Sequence, residues 1–183
     1  MATWQVNTIA KNKAEVATPR VRYVIQADRT SFVLQAFRGK RSVERVALTH
    51  KGDNYSLTGV GSAGRSQHRT IRFKGKRVVS RGVFGGRRFS VSSSVCSHIP
   101  LLAAQLKGRK PIRLPLITAF MTQFKRDARF RAEVEKRVDM AMMLRAPNAV
   151  VIACVIICAD CFFTGDPVAC VLCDLCLRPD PPT

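Results

Sequence analysis

Six cysteines crowd the last thirty residues of this chain: Cys154, Cys158, Cys161, Cys170, Cys173 and Cys176. The first three stand at i, i+4 and i+7, the last three at i, i+3 and i+6, so each set follows one face of a helix. Between them, Gly165 suits the position just past a helix end, Asp166 an N-cap and Pro167 a first helical residue. The sequence therefore predicts a Cys-rich helical-hairpin tail. Folded antiparallel, it sets Cys161 against Cys170, Cys158 against Cys173 and Cys154 against Cys176. Three chemistries suit such a ladder. The first is disulfide formation, which would staple a tail too short to build its own core. It requires close helices, because bridged Cα atoms sit about 4.4–6.8 Å apart and packed helix axes about 8–10 Å. The second is a metal site, zinc or iron–sulfur, on the two C-x-x-C pairs Cys158, Cys161, Cys170 and Cys173. Its eight-residue spacer is short for zinc modules, and two cysteines would be spare. The third is a pair of helices that simply buries reduced thiols. The nested spacing favours disulfides.

Elsewhere the chemistry is sparse. His50, His68, His98 and Cys96 show no partner that would orient a base or build an oxyanion site. Gly59-Val60-Gly61-Ser62-Ala63-Gly64 fits the pattern G-x-G-x-x-G, but loop and strand follow it and no βαβ unit surrounds it. It reads as a hairpin loop. The expectation is a protein that is not an enzyme and has no resident cofactor, zinc or iron–sulfur being the alternative.

The charge is divided unevenly. Residues 1–148 carry 30 Lys and Arg against 8 Asp and Glu, a net +22, whereas residues 149–183 have a net charge of −3. Such an excess points to a polyanionic partner or to an internal acidic one. The densest basic stretch holds Arg65, Arg69, Arg72, Lys74, Lys76, Arg77, Arg81, Arg87 and Arg88. These are the candidate nucleic-acid contacts, since phosphate binding needs only positive density. Phe73, Phe84 and Phe89 alternate with them, either as stacking rings or as the buried face of the strands.

The elements that position these residues are legible in outline. From Val21 to Val95, short runs rich in Val, Ile, Phe, Tyr and Thr alternate with turn residues such as Gly39-Lys40, Gly75-Lys76 and Gly85-Gly86. They predict an antiparallel β-meander or a small barrel-like sheet. Thr70, Arg72 and Lys74 would lie on its wet face, Ile71 and Phe73 on its buried one. Residues 1–19 are mixed, with Trp4 and Val6 as packing anchors. A short helix should end near Gly108. A long one, whole or broken in two, should follow to Pro147, with Asp127–Arg131 and Glu133–Arg137 as i,i+4 ion pairs. The expected class is α+β: a basic antiparallel β region over 1–97, a helical segment over 98–147 and the tail over 148–183. The longest apolar run, Ala149–Phe163, is too short to span a bilayer. The opening residues hold no apolar signal segment.

A basic region ending in a hydrophobic, cysteine-dense peptide resembles halocin-type precursors, the immunity–bacteriocin fusion proteins. The resemblance covers about the last 35 residues. It implies that the basic region holds the acidic tail harmless in a cytoplasmic or cell-associated precursor. Cleavage near Ala146, Pro147 and Asn148 would then release a secreted, membrane-active antimicrobial peptide whose partner is the target-cell membrane. The alternatives are a basic nucleic-acid-binding protein with a metal-stabilised tail, and a non-catalytic interaction domain with a buried tail.

Overall fold

The computed structural model describes residues 3–94 and 97–138. Nine strands come first: β1 (Gln5–Ala10), β2 (Lys13–Ala17), β3 (Arg22–Ala27), β4 (Ser31–Arg38), β5 (Arg41–Lys51), β6 (Asn54–Val60), β7 (Ser66–Lys74), β8 (Arg77–Phe84) and β9 (Arg87–Ser94). Three helices follow: α1 (His98–Leu106), α2 (Pro115–Arg126) and α3 (Ala128–Val138). Each strand pairs antiparallel with its sequence neighbour, in the order β1 to β9. The ends of that order do not pair, so the meander is an open sheet and not a barrel.

Two-residue turns set the register. Arg38 pairs with Arg41 around Gly39-Lys40, and Lys74 with Arg77 around Gly75-Lys76. Both glycines have φ near +60°, at 59° and 56°. Glycine takes this conformation without steric cost, which explains why similar sequences recur at these two hairpin tips.

Alternation then sorts the side chains. Tyr23, Ile25, Leu34, Leu57, Ile71, Val78, Phe89 and Val91 point to one face and are buried. All three helices pack on that face. Trp4 stacks on Tyr23 with centroids 5.7 Å apart and meets the edge of Phe130 at 5.4 Å, while Phe120 lies 5.2 Å from Tyr23. The sheet and helices therefore share one core.

Residues 5–17 hold more order than their composition suggests, because they form the β1–β2 hairpin. Asn12 turns it with φ of 58°, a conformation that Asn tolerates better than most residues. The long helix does break in two, at Asp127. The expected Asp127–Arg131 ion pair is replaced by a cap: Asp127 Oδ1 accepts the Phe130 N–H at 3.0 Å and so starts α3. The Glu133–Arg137 pair is present.

The start of α2 has no acidic residue in its first turn and no side-chain cap from its own neighbours. Glu44 supplies one from β5, 72 residues away. Its carboxylate accepts the N–H groups of Leu116 at 3.1 Å and Ile117 at 2.8 Å, and the Tyr23 hydroxyl donates to the Leu116 carbonyl at 3.0 Å. Burial raises the Glu44 pKa, against the lowering effect of those two backbone donors and of Arg38. Burial, reinforced by Glu44, pushes the Tyr23 hydroxyl up to about 12. Glu44→Ala leaves both donors, the buried Ile117 N–H and the half-buried Leu116 N–H, without this acceptor, so it will cost about 2 kcal/mol. Urea unfolding of the two proteins checks this, with Glu44→Gln falling between them.

Candidate nucleic-acid interface

The face of β5–β9 opposite the helices is polar and basic. Pairing register fixes its side chains in rows across the strands. One row runs Lys51, Asn54, Arg72, Val79, Ser92, and the next runs Thr49, Ser56, Thr70, Arg81, Ser90. Ser31 of β4 extends the second row at its far end. Beyond the first row, Lys74 stands directly opposite Arg77. Beyond the second lie Thr58, His68, Val83 and Arg88. Rows on one face of a strand are about 6.8 Å apart, two residues of rise.

These rows enclose an open concavity of about 590 Å³. Lys51, Arg72, Lys74 and Arg81 line it with Thr49, Asn54, Ser56 and Thr70, and among the described residues no acidic side chain does. Nearby sequence adds little negative charge: from Arg45 to Arg126 there are 17 Lys and Arg and one acid, Asp53. Two hydroxyl contacts order the surface. Thr70 Oγ1 donates to the Arg81 carbonyl at 3.3 Å, and Arg77 donates to Ser92 Oγ at 3.3 Å.

The basic residues singled out by sequence separate into three groups. Arg72, Lys74 and Arg81 line the concavity, and Arg77 and Arg88 flank it on the same face. Arg65, Lys76 and Arg87 are exposed at the sheet's ends, in or beside the hairpin turns. Arg69 alone forms the third, which corrects the expectation for it. It sits at an inward position of β7, only 2% exposed. Lys51 and the hydroxyl row were missed. They become visible only when β5 is carried three residues past Leu48 and the strand register is known.

Arg69 instead begins a buried chain of hydrogen bonds. Its Nε and Nη2 donate to Ser80 Oγ at 3.2 and 2.9 Å. Ser80 Oγ lies 2.6 Å from His98 Nε2, and His98 Nδ1 lies 2.8 Å from Ser93 Oγ, which donates to the Ser94 carbonyl. With Ser80 already accepting from Arg69, its proton points to Nε2. His98 is then neutral with its proton on Nδ1. Burial, helped by the Arg69 charge, lowers His98 to about 4, and burial lowers Arg69 to about 9, still charged at neutral pH.

A serine beside a histidine can be a nucleophile and its base. Here Ser80 and His98 are at most 1% exposed, and a cation donates to the hydroxyl. The arrangement pins the first residue of α1 to β8 and β9. It offers a substrate no access. The ring candidates Phe84 and Phe89 are also buried, on the helix side of the sheet.

No family model, curated protein or solved structure matches this chain. Among the described residues, no three His, Cys, Asp or Glu side chains gather where a metal ion could sit, and no helix is long and apolar enough to cross a membrane. The expected tail hairpin with Cys154, Cys158, Cys161, Cys170, Cys173 and Cys176, the expected processing positions Ala146, Pro147 and Asn148, and Cys96 all lie outside the described residues.

Proposed function

We propose that this protein binds nucleic acid through the outer face of β5–β9, by its phosphates and without catalysis. The observation that carries the reading is the concavity itself, where Lys51, Arg72, Lys74 and Arg81 converge and, among the described residues, no acid lines the wall. Such a surface attracts phosphate and gains affinity as it releases condensed counterions. The Lys74–Arg77 pair supports it. Like charges directly opposite on neighbouring strands are unfavourable, and an anion between them removes the repulsion. A lipid surface is the poorer fit. The large exposed apolar side chains among the described residues, Ile9 and Leu101, lie on β1 and α1, away from this face.

The test is anisotropy of a labelled nucleic acid against the full chain over about 50 to 200 mM salt. Four phosphate contacts predict a slope of log K against log[salt] of about −3.6, and an affinity loss of about 100-fold across that range. Arg72→Ala with Arg81→Ala will make the slope shallower by about 2. Absence of binding at the lowest salt overturns the reading.

A further inference from the structure

Taking that reading as its base, we infer that the nucleic acid is double-helical RNA, held by ribose 2′-hydroxyls between two lines of phosphate. The centre of the face is a row of hydroxyls. Ser31, Thr49, Ser56, Thr70 and Ser90 occupy five of six successive strands in one register row, and Arg81 takes the sixth. A hydroxyl both donates and accepts, and so does the ribose 2′-hydroxyl. A phosphate oxygen can only accept from such hydroxyls, whereas a ribose 2′-hydroxyl can use both their proton and their lone pairs.

Cations bracket the row on both sides. Lys51 and Arg72 stand one row away in one direction, with Lys74 and Arg77 beyond them, and Arg88 stands one row away in the other. Each step is about 6.8 Å along the strands. Hydroxyls in the middle and positive charge on either flank complement a minor groove that shows 2′-hydroxyls between two phosphate backbones. In an A-form helix that groove is wide and shallow, so a broad sheet face can approach it. The deep, narrow major groove would exclude such a face.

The aromatic residues point the same way by where they are. Proteins that hold single strands stack the bases on exposed rings. On β5–β9, Tyr55, Phe73, Phe84 and Phe89 all occupy inward positions, and Tyr55 lies edge-on to Phe73 with centroids 5.6 Å apart. No Phe, Tyr or Trp stands at an outward position of these five strands. The face therefore presents no stacking platform to unpaired bases.

The experiment measures the full chain against one sequence prepared as RNA duplex, DNA duplex and single-stranded RNA, at a single salt concentration. RNA duplex will bind at least about ten-fold more tightly than the other two. Ser56→Ala with Thr70→Val will abolish that preference and leave the salt slope unchanged. Arg72→Ala with Arg81→Ala will lower the slope and leave the preference in place. Equal affinity for RNA and DNA duplexes overturns the RNA inference while phosphate binding stands. So does tighter binding of single-stranded RNA, or an RNA preference that survives the hydroxyl substitutions. Failure to bind any of the three overturns the inference and the reading beneath it together.

Discussion

Gly82→Ala will be among the most damaging single substitutions in the described chain, at a cost of about 4 kcal/mol. Gly82 pairs with Arg69 across the β7–β8 ladder. A Cβ at this position would lie 2.0 Å from the His68 carbonyl oxygen and 2.9 Å from the Arg69 Cα. Both obstacles are backbone, so no side chain can rotate away. The strands would have to part, in the segment that carries Arg72 and Arg81 outward and Arg69 and Ser80 inward. Urea or thermal unfolding reads the loss directly. Gly39→Ala is the control: it meets no atom within 4 Å and is disfavoured only by its positive φ. If Gly82→Ala melts with the wild type, the close approach of the two backbones is not a constraint on stability.

Stability will also fall steeply as the pH drops from about 6.5 to about 4, and His98 is the main cause. Its pKa is depressed to about 4 in the folded protein, from 6.5. A base depressed in this way binds its proton more readily in the unfolded chain. Its contribution is complete above pH 6.5, declines below it, and is exhausted near pH 4. The gap corresponds to about 3 kcal/mol, at 1.36 kcal/mol per pKa unit. Arg69, through the Ser80 hydroxyl they share, adds to the penalty for a second positive charge. Glu44 acts in the opposite sense. Its folded pKa is raised, so its protonation at low pH favours the folded state and offsets part of the loss. His98→Gln keeps a neutral amide at the site and will flatten the stability profile between pH 6.5 and 4. A profile equally steep in that variant would move the acid sensitivity to other groups.

Much of the sheet was readable because two-residue alternation and glycine turns act locally. The runs from Val21 to Val95 contain β3 to β9 nearly strand for strand. The β1–β2 hairpin was not readable. Lys13, Glu15 and Asn7 dilute its apolar pattern, and its order depends on Trp4 reaching Tyr23 and Phe130, which are distant in sequence. Arg69 was misread for a different reason. It stands two residues before Ile71 and four before Phe73, so the alternation that placed Thr70, Arg72 and Lys74 outward already placed it inward. Its charge masks that inward period. The cationic half of the candidate interface was therefore visible as composition. The hydroxyl half was not, because Ser31, Thr49, Ser56, Thr70 and Ser90 become a row only through the register of six strands.

The strictly sequential order of the sheet has a kinetic consequence. Every strand pair joins chain neighbours across a short turn, so each closes at little cost in loop entropy and can form as the chain emerges. The distant closures come with the helices: Ile117 to Glu44 spans 73 residues, and Tyr23 to Leu116 spans 93. The meander can thus zip hairpin by hairpin, and the arrival of α2 on Glu44 acts as the late latch. A latch formed after the barrier slows opening more than it speeds closing. In stopped-flow measurements, Glu44→Ala will consequently raise the unfolding rate and leave the folding rate nearly unchanged.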